Sequence, residues 1–331
     1  HGWPIYPSTV YDKYRLDHNA YPNLGVVDGE ALLTRWTRLA HQQGMQVHAW
    51  VQVFYVGNEA LGVASPVLKH YPQWANRQRE HAQDMSPHSS NVEHGHWFMD
   101  PANRDVRTFV IELMDELATH YPIDGIELDY IRYPAPLEKT DDNYMASTWG
   151  YTPAARTKFQ KMYGIDPVII ERSDTPNWEA WQRFKADQVS HIVRTLRNHQ
   201  QDSWKIARSL KGYPELQLSA SVFPDTDGPY SKKHQDWPLW IKQGELDFIT
   251  PMVLSPNVEP VCKAIEKINR ILHEKPLSLT LSPRGERTEP KVVVGLFSPF
   301  YNAGTFALLQ QKQAAYSCKA DGYSLFSSSG I

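Results

Sequence analysis

The feature that most constrains the fold is an order: short apolar segments alternate with amphipathic ones along nearly the whole chain. Strands are expected at Met45–Val53, Asp124–Tyr130, Leu216–Phe223, Leu246–Val253, Lys291–Ser298 and Gly322–Ser327. Between them, apolar residues recur at helical spacing. One helical pattern begins at Asp28, places Leu32, Leu33, Trp36, Leu39 and Ala40 on one side, and stops at Gly44. The next opens at Asp100-Pro101 and carries Val106, Phe109, Val110, Leu113, Met114 and Leu117. Others run from Thr152-Pro153 to Gly164, from about Trp178 to Asn198, and over Pro238–Gln243, Val258–His273 and Thr305–Cys318. Strands connected through helices pair in parallel, by right-handed crossovers. The pattern therefore asks for an α/β protein, either a doubly wound sheet or a barrel. No Gly-rich phosphate loop follows any of these strands, which counts against a dinucleotide-binding sheet.

Composition narrows the function. The net charge of −3 over 331 residues gives no electrostatic case for binding nucleic acid or an anionic membrane. No apolar run approaches the roughly 18 residues of a membrane span. Two cysteines, Cys262 and Cys318, allow at most one bridge and no cysteine-based zinc site. The 11 Trp and 17 Tyr are numerous, and these side chains join a flat apolar face to a polar tip, as sugar-binding clefts require. Most such rings in any protein are core packing.

In a parallel α/β protein the chemistry sits at the carboxyl ends of the strands. The segment Asp124-Gly-Ile-Glu-Leu-Asp129 puts Ile126 and Leu128 on one side, and Gly125, Glu127 and Asp129 on the other. Two carboxylates sharing one strand face repel each other, so they are either an ion-paired cluster fixing nearby loops or a hydrolytic pair. Met45–Val53 likewise turns His48, Trp50 and Gln52 to one face. Asp225, Asp227 and Asp236 follow the next strand and add further carboxylates, each also suited to a turn or a helix cap. His94 and His96, with His88 nearby, raise a metal-dependent deacetylase reading, but they lie in a loop without an obvious third ligand, and no metal is expected. No Gly-x-Ser-x-Gly elbow occurs, and neither cysteine lies at a strand exit, so Ser and Cys nucleophiles are unsupported. Two stretches break the alternation. Pro134–Gly150 is a polar loop directly after the acidic strand and a candidate lid or substrate contact, and 276–290 reads as a surface insertion.

The run Asp124-Gly-Ile-Glu-Leu-Asp129-Tyr-Ile-Arg132-Tyr-Pro134 resembles the signature of the glycosyl hydrolase-like 10 family of bacterial envelope proteins. Further matches in family order are Gly2-Trp-Pro-Ile-Tyr6-Pro-Ser8, His48-Ala-Trp50, Pro101-Ala-Asn-Arg-Asp-Val-Arg107, Gln235-Asp-Trp237, Asp247-Phe-Ile-Thr-Pro251-Met252 and Gly322-Tyr-Ser-Leu-Phe326. The resemblance covers nearly the whole chain. It implies a single (β/α)8 barrel domain over 1–331, acting without cofactor on glycosidic bonds of cell-wall or related polysaccharide, in the envelope or outside the cell. Family members include enzymes that cleave peptidoglycan strands lacking stem peptides. In the family, a first strand, first helix and second strand precede the Tyr-Pro-Ser motif, so the chain, which starts at His1, is expected to be a barrel shortened by two strands.

These readings combine into a glycoside hydrolase in which Asp129 is one catalytic carboxylate, and Glu127, Asp225 and Asp236 are candidates for the other. Arg132 would orient Asp129 and hold it ionised. Trp50, Tyr133 and Trp237 would form sugar platforms, with His48 and Gln52 lining the pocket. The rival is a carbohydrate-binding barrel without turnover, in which the acids only hydrogen-bond hydroxyls.

Overall fold

A computed structural model of the chain describes residues 2–17, 26–27, 30–59, 65–84, 86–225, 227–228, 231–253, 255, 257–273, 291–297 and 305–326. The expected insertion at 276–290 lies outside these residues. The chain forms two compact units, one of His1–Leu216 with Pro229–Gln235 and one of Gln217–Gly228 with Asp236–Ile331.

In the first unit, strands His48–Gln52 and Gly125–Asp129 pair in parallel. Between them in sequence comes an antiparallel pair, Tyr55–Asn58 with His96–Phe98, bulged between Tyr55 and Gly57. This second pair falls where the sequence suggests only loop, because three residues, His96–Phe98, are too few to carry a periodicity. The helices follow the sequence closely. Leu32–Gln42 ends before Gly44, and Arg104–His120 starts behind Asn103, whose side chain accepts the Asp105 N–H. Pro153–Tyr163 is capped by Thr152 and closed by Gly164 in the left-handed region. Thr175–His199 begins three residues before the first expected apolar position and continues through a π-helical turn, Gln200–Trp204, into Lys205–Leu210. Its buried face joins Trp181 and Phe184 to Tyr151 and Phe159 in an aromatic core. Buried Arg208 closes the far end, donating to the carbonyls of Ala118, Tyr121, Ile123 and Pro214. That fixes the segment entering the acidic strand to the end of the preceding helix.

The second unit holds four parallel strands, Gln217–Val222, Phe248–Pro251, Lys291–Phe297 and Gly322–Phe326, each paired with the next. Helices Trp237–Lys242, Val258–His273 and Thr305–Ser317 connect them. Cys262 and Cys318 are bridged, with Cα atoms 5.3 Å apart. Six parallel strands alternating with helices along the chain make this an α/β protein, a partial (β/α) barrel.

One device recurs at the amino-terminal ends of these strands. Asp124 donates its backbone N–H to the Val47 carbonyl at 2.8 Å and accepts the Val47 N–H on Oδ2 at 2.7 Å. Asp247 does the same to Leu218, and Asp321 to Val292. Each aspartate thus clamps its own strand to the neighbouring one at a fixed register. Removing the side chain leaves a half-buried N–H without its acceptor, so Asp247→Ala is expected to cost about 1–3 kcal/mol. Asp247→Asn keeps a carbonyl oxygen and should cost less. Urea unfolding of the two variants beside wild type measures both, and equal stability of all three would remove the clamp from the account.

Candidate active site

The clamp at Asp124 sets His48 opposite Gly125, Trp50 opposite Glu127, and Gln52 opposite Asp129. The structure therefore brings five of the candidate residues to one face of one strand pair. Gly125 is required there, because a Cβ at that position would lie 2.2 Å from His48 Nδ1.

Asp129 ends its strand with both carboxyl oxygens engaged. Oδ1 accepts the Tyr130 N–H at 2.7 Å, and Oδ2 accepts the Trp50 indole N–H at 3.1 Å. Tyr130 sits in the left-handed region at φ 49°, an uncommon conformation for a residue with a Cβ. Burial pushes the Asp129 carboxyl up to about 6, and the neighbouring Glu127 charge adds to the rise. The Tyr130 N–H, the Arg132 charge and the Trp50 N–H all favour the ionised form, and burial outweighs them. Arg132 lowers the value but does not offset the burial.

The reason is where Arg132 spends its charge. Its guanidinium pairs bidentately with Glu93, Nη1 to Oε1 at 3.0 Å and Nη2 to Oε2 at 3.1 Å. Such fork-to-fork pairing is the strongest arrangement open to arginine. Glu93 also accepts the Ala135 N–H at 2.9 Å and the Lys233 ammonium at 3.0 Å. Burial alone would raise the Glu93 carboxyl, but Arg132 and Lys233 hold it down at about 2. Lys233, buried and beside Arg132, is pushed down to about 8. The guanidinium lies 4.7 Å from the Tyr130 ring centre, and the Tyr55 ring stacks on Tyr130 at 4.8 Å. Glu93 thus anchors the whole turn after Asp129. Sequence reasoning passes over it because its partners stand 39 and 140 positions away.

The other candidates divide. Trp50 is 52% exposed and offers an open ring face. Tyr133 and Trp237 are both fully buried and cannot serve as sugar platforms in this conformation. Tyr133 packs edge-on against His234, and Trp237 donates its indole N–H to the carbonyls of Phe223 and Asp225. In the second unit Asp225 accepts the Asp227 N–H at 2.9 Å, and Asp236 precedes helix Trp237–Lys242. His94 and His96 do not converge on a common point with a third ligand. Among the described residues, the three metal-ligating side chains that do converge are His81, Asp84 and His88, where one Asp84 oxygen lies 2.9 Å from each ring. A cavity of about 500 Å³ borders strand His48–Gln52 from the side of Trp3, Tyr6 and Trp36, and neither Glu127 nor Asp129 lines it.

A buried carboxyl at the exit of an acidic strand lies where a (β/α) barrel places its chemistry. The glycosyl hydrolase-like 10 family matches residues 1–275, and the chain belongs to it. The glycosyl hydrolase DigH of Escherichia coli K12 is 23% identical over 229 residues, covering 66% of this chain and 44% of its own length. The chain thus spans under half the length of that relative. An S-layer-related protein of Niallia circulans is 24% identical over 182 residues, half of this chain and 10% of its own. Among solved structures, the PgaB (BpsB) glycoside hydrolase domain from Bordetella bronchiseptica shares the fold, with a TM-score of 0.58 at 16% identity, over 88% of this chain and 74% of that one.

Asp129 makes a stability prediction. Its carboxyl rises from 3.8 to about 6 on folding, so between those pH values the folded chain holds a proton that the unfolded chain has lost. Its contribution is full below the unfolded value and disappears as pH rises through about 6, a change of roughly 3 kcal/mol. Asp129→Asn should remove this slope, with a constant offset from its poorer acceptor for Trp50. Urea midpoints across pH 4 to 8 test it, and parallel curves for the two proteins would contradict a raised Asp129.

Proposed function

We propose that the chain is a glycoside hydrolase acting on a bacterial cell-wall or related envelope polysaccharide, with Asp129 as its proton donor. The carrying observation is the Asp129 carboxyl itself, buried at a strand exit beside an exposed Trp50 ring and titrating near 6. A carboxyl that keeps its proton in weakly acidic medium can give it to a glycosidic oxygen as the bond breaks. The developing positive charge on the sugar then needs a second, ionised carboxylate, either as nucleophile or as base for a water molecule. Glu127 shares the strand face, its Cα about 6.6 Å from that of Asp129 along an extended chain. Asp225 and Asp236 are the alternatives. Glu93 is unsuited, since Arg132 and Lys233 already occupy it.

Family membership and the glycosyl hydrolase relative support the reaction class. The S-layer-related relative and the Cys262–Cys318 bridge, which fits an oxidising compartment, support an envelope or secreted location. The binding-only reading draws on the same Trp50 face, and it predicts affinity for glycan without turnover.

Reducing-end release from peptide-free peptidoglycan strands and a panel of other polysaccharides separates the two readings. Asp129→Asn is expected to lower kcat by about 100-fold or more while glycan binding persists. Wild-type binding with no cleavage across the panel would favour the binding module. Substituting Glu127→Gln, Asp225→Asn and Asp236→Asn in turn identifies the second carboxylate as the one whose loss matches that of Asp129.

The pH profile supplies an independent check. With Asp129 as acid, kcat falls as pH rises through about 6. Trp50→Phe keeps a ring but removes the N–H that favours the ionised form, so the alkaline limb should move to higher pH. A limb that stays in place, or moves down, would separate Asp129 from the titration.

A further inference from the structure

A second cavity, about 200 Å³, opens between the Pro134–Gly150 loop, helix Thr175–His199 and residues 231–234. It is smaller than the roughly 300–1,000 Å³ of drug-sized sites, which limits its occupant to about one sugar ring. Asp129 and Glu127 do not line it. Its wall is unusual in what it leaves unpaired. Lys185 is 1% exposed and lies within 6.0 Å of the ring centres of Tyr133, Trp178 and Trp181, and among the described residues it has no carboxylate partner. Two more buried donors line the same cavity without a hydrogen-bond partner, the Trp149 indole N–H and the Gln182 amide nitrogen. Two unpaired buried donors beside a buried ammonium without a carboxylate call for an acceptor within the cavity.

The charge balance selects the acceptor. Lys139, Lys185 and Lys232 line the cavity against one carboxylate, Glu179, and Lys232 is already paired with Glu138 outside it. The backbone is shaped to admit Lys185. Gly150 sits at φ +107°, and a Cβ there would come within 2.9 Å of Lys185 Cδ. Half-buried Trp178 also lines the cavity, and an indole ring can take the apolar side of a pyranose; Tyr144 lines it too, with the Arg172 guanidinium 5.1 Å from its ring centre. Desolvation pushes the Lys185 ammonium down to about 7, the condition an anion in the cavity would relieve.

We propose that this cavity is a subsite for a sugar ring bearing a carboxylate, with Lys185, Gln182 and Trp149 binding the carboxylate and the aromatic faces holding the ring. The choice of a sugar rests on the glycosidase reading, whereas the anion preference stands on the cavity alone. Two sources share the chemistry: a uronic acid, with the carboxylate on the ring, and a lactyl-ether sugar, with it on a side arm.

The test is a tryptophan-fluorescence titration of the full chain with glucuronate, N-acetylmuramate, methyl glucoside and inorganic phosphate. At least one sugar acid should bind about tenfold or more tightly than methyl glucoside and than phosphate, and the tighter acid identifies the source. Lys185→Met should weaken that binding by about tenfold or more, with a melting temperature no lower than wild type, since it removes a buried unpaired charge. Trp149→Phe keeps the packing and loses one donor, and should weaken binding several-fold. It decides the matter if Lys185→Met melts early. Equal binding of neutral and acidic sugars, phosphate binding as tightly as either acid, no binding of either acid, or full affinity in both variants would each overturn the proposal. Repeating the titration and the reducing-end assay with Asp129→Asn separates the two readings: sugar-acid binding retained with turnover lost supports both, turnover retained faults the role of Asp129 alone, and a wild type that turns over glycan but binds neither acid faults the subsite alone.

Discussion

The aspartate clamp at the start of the acidic strand, repeated at two strands of the second unit, is the constraint on which the candidate site depends. Strand side chains alternate faces, so slipping Gly125–Asp129 by one residue against His48–Gln52 would carry Glu127 and Asp129 to the opposite face and bring Ile126 and Leu128 into their place. Apolar burial alone sets this weakly, because both faces of an inner strand are covered. Asp124 sets it strongly, by taking the Val47 N–H on its side chain while its own N–H meets the Val47 carbonyl. His41 adds a contact to the same Asp124 oxygen at 2.8 Å, which ties the preceding helix to the strand start. The same construction at Asp247 and Asp321 in the second unit indicates a general solution to parallel pairing, not a feature private to the acidic strand.

At the other end of that strand, the electrostatics are arranged by separation. One buried carboxylate, Glu93, receives two cations and one backbone N–H, that of Ala135. The other, Asp129, receives two neutral N–H donors. Neutral donors orient a carboxyl without supplying enough attraction to offset its desolvation, so its proton is retained to a higher pH. Had Arg132 turned to Asp129 instead, the carboxyl would be fixed as an anion and unable to act as an acid near neutrality. Glu93 therefore matters to Asp129 by occupying Arg132. The aromatic stack of Tyr55, Tyr130 and the Arg132 guanidinium holds the turn between them.

How much of this could be read from the sequence follows from the range of each interaction. Helix and strand positions depend on local periodicity and on caps a few residues away, and Thr152, Gly164 and Gly44 mark ends that the structure reproduces. The shared face of His48, Trp50, Gln52, Glu127 and Asp129 was legible too, because alternation within each strand needed only the assumption that the strands are neighbours. Glu93 was not legible: nothing near it in sequence distinguishes a buried ionic anchor from a solvated loop acid. The aromatic residues fail for a different reason. Trp50, Tyr133 and Trp237 have the same chemistry on paper, and only packing decides that the first is half open and the other two are enclosed. The count of Trp and Tyr therefore points to sugar binding more strongly than the individual residues do.

Two glycines complete the physical logic. At Gly125 the missing Cβ makes room for the His48 ring across the strand pair, and at Gly150 it makes room for the Lys185 stem in a backbone conformation other residues avoid. Neither position is explained by a turn alone. In each case a polar side chain from a distant segment occupies the space a methyl group would take. Asp129 and Lys185 are two groups of opposite sign buried without a charged partner, one held by neutral donors and the other facing aromatic rings; Asp100, buried behind the Thr152 hydroxyl and the Ala102 N–H, shares the condition of Asp129. Stability alone would favour pairing or replacing such groups, since a buried lysine without a carboxylate opposes folding. Under the two proposals, ligand binding offsets that cost.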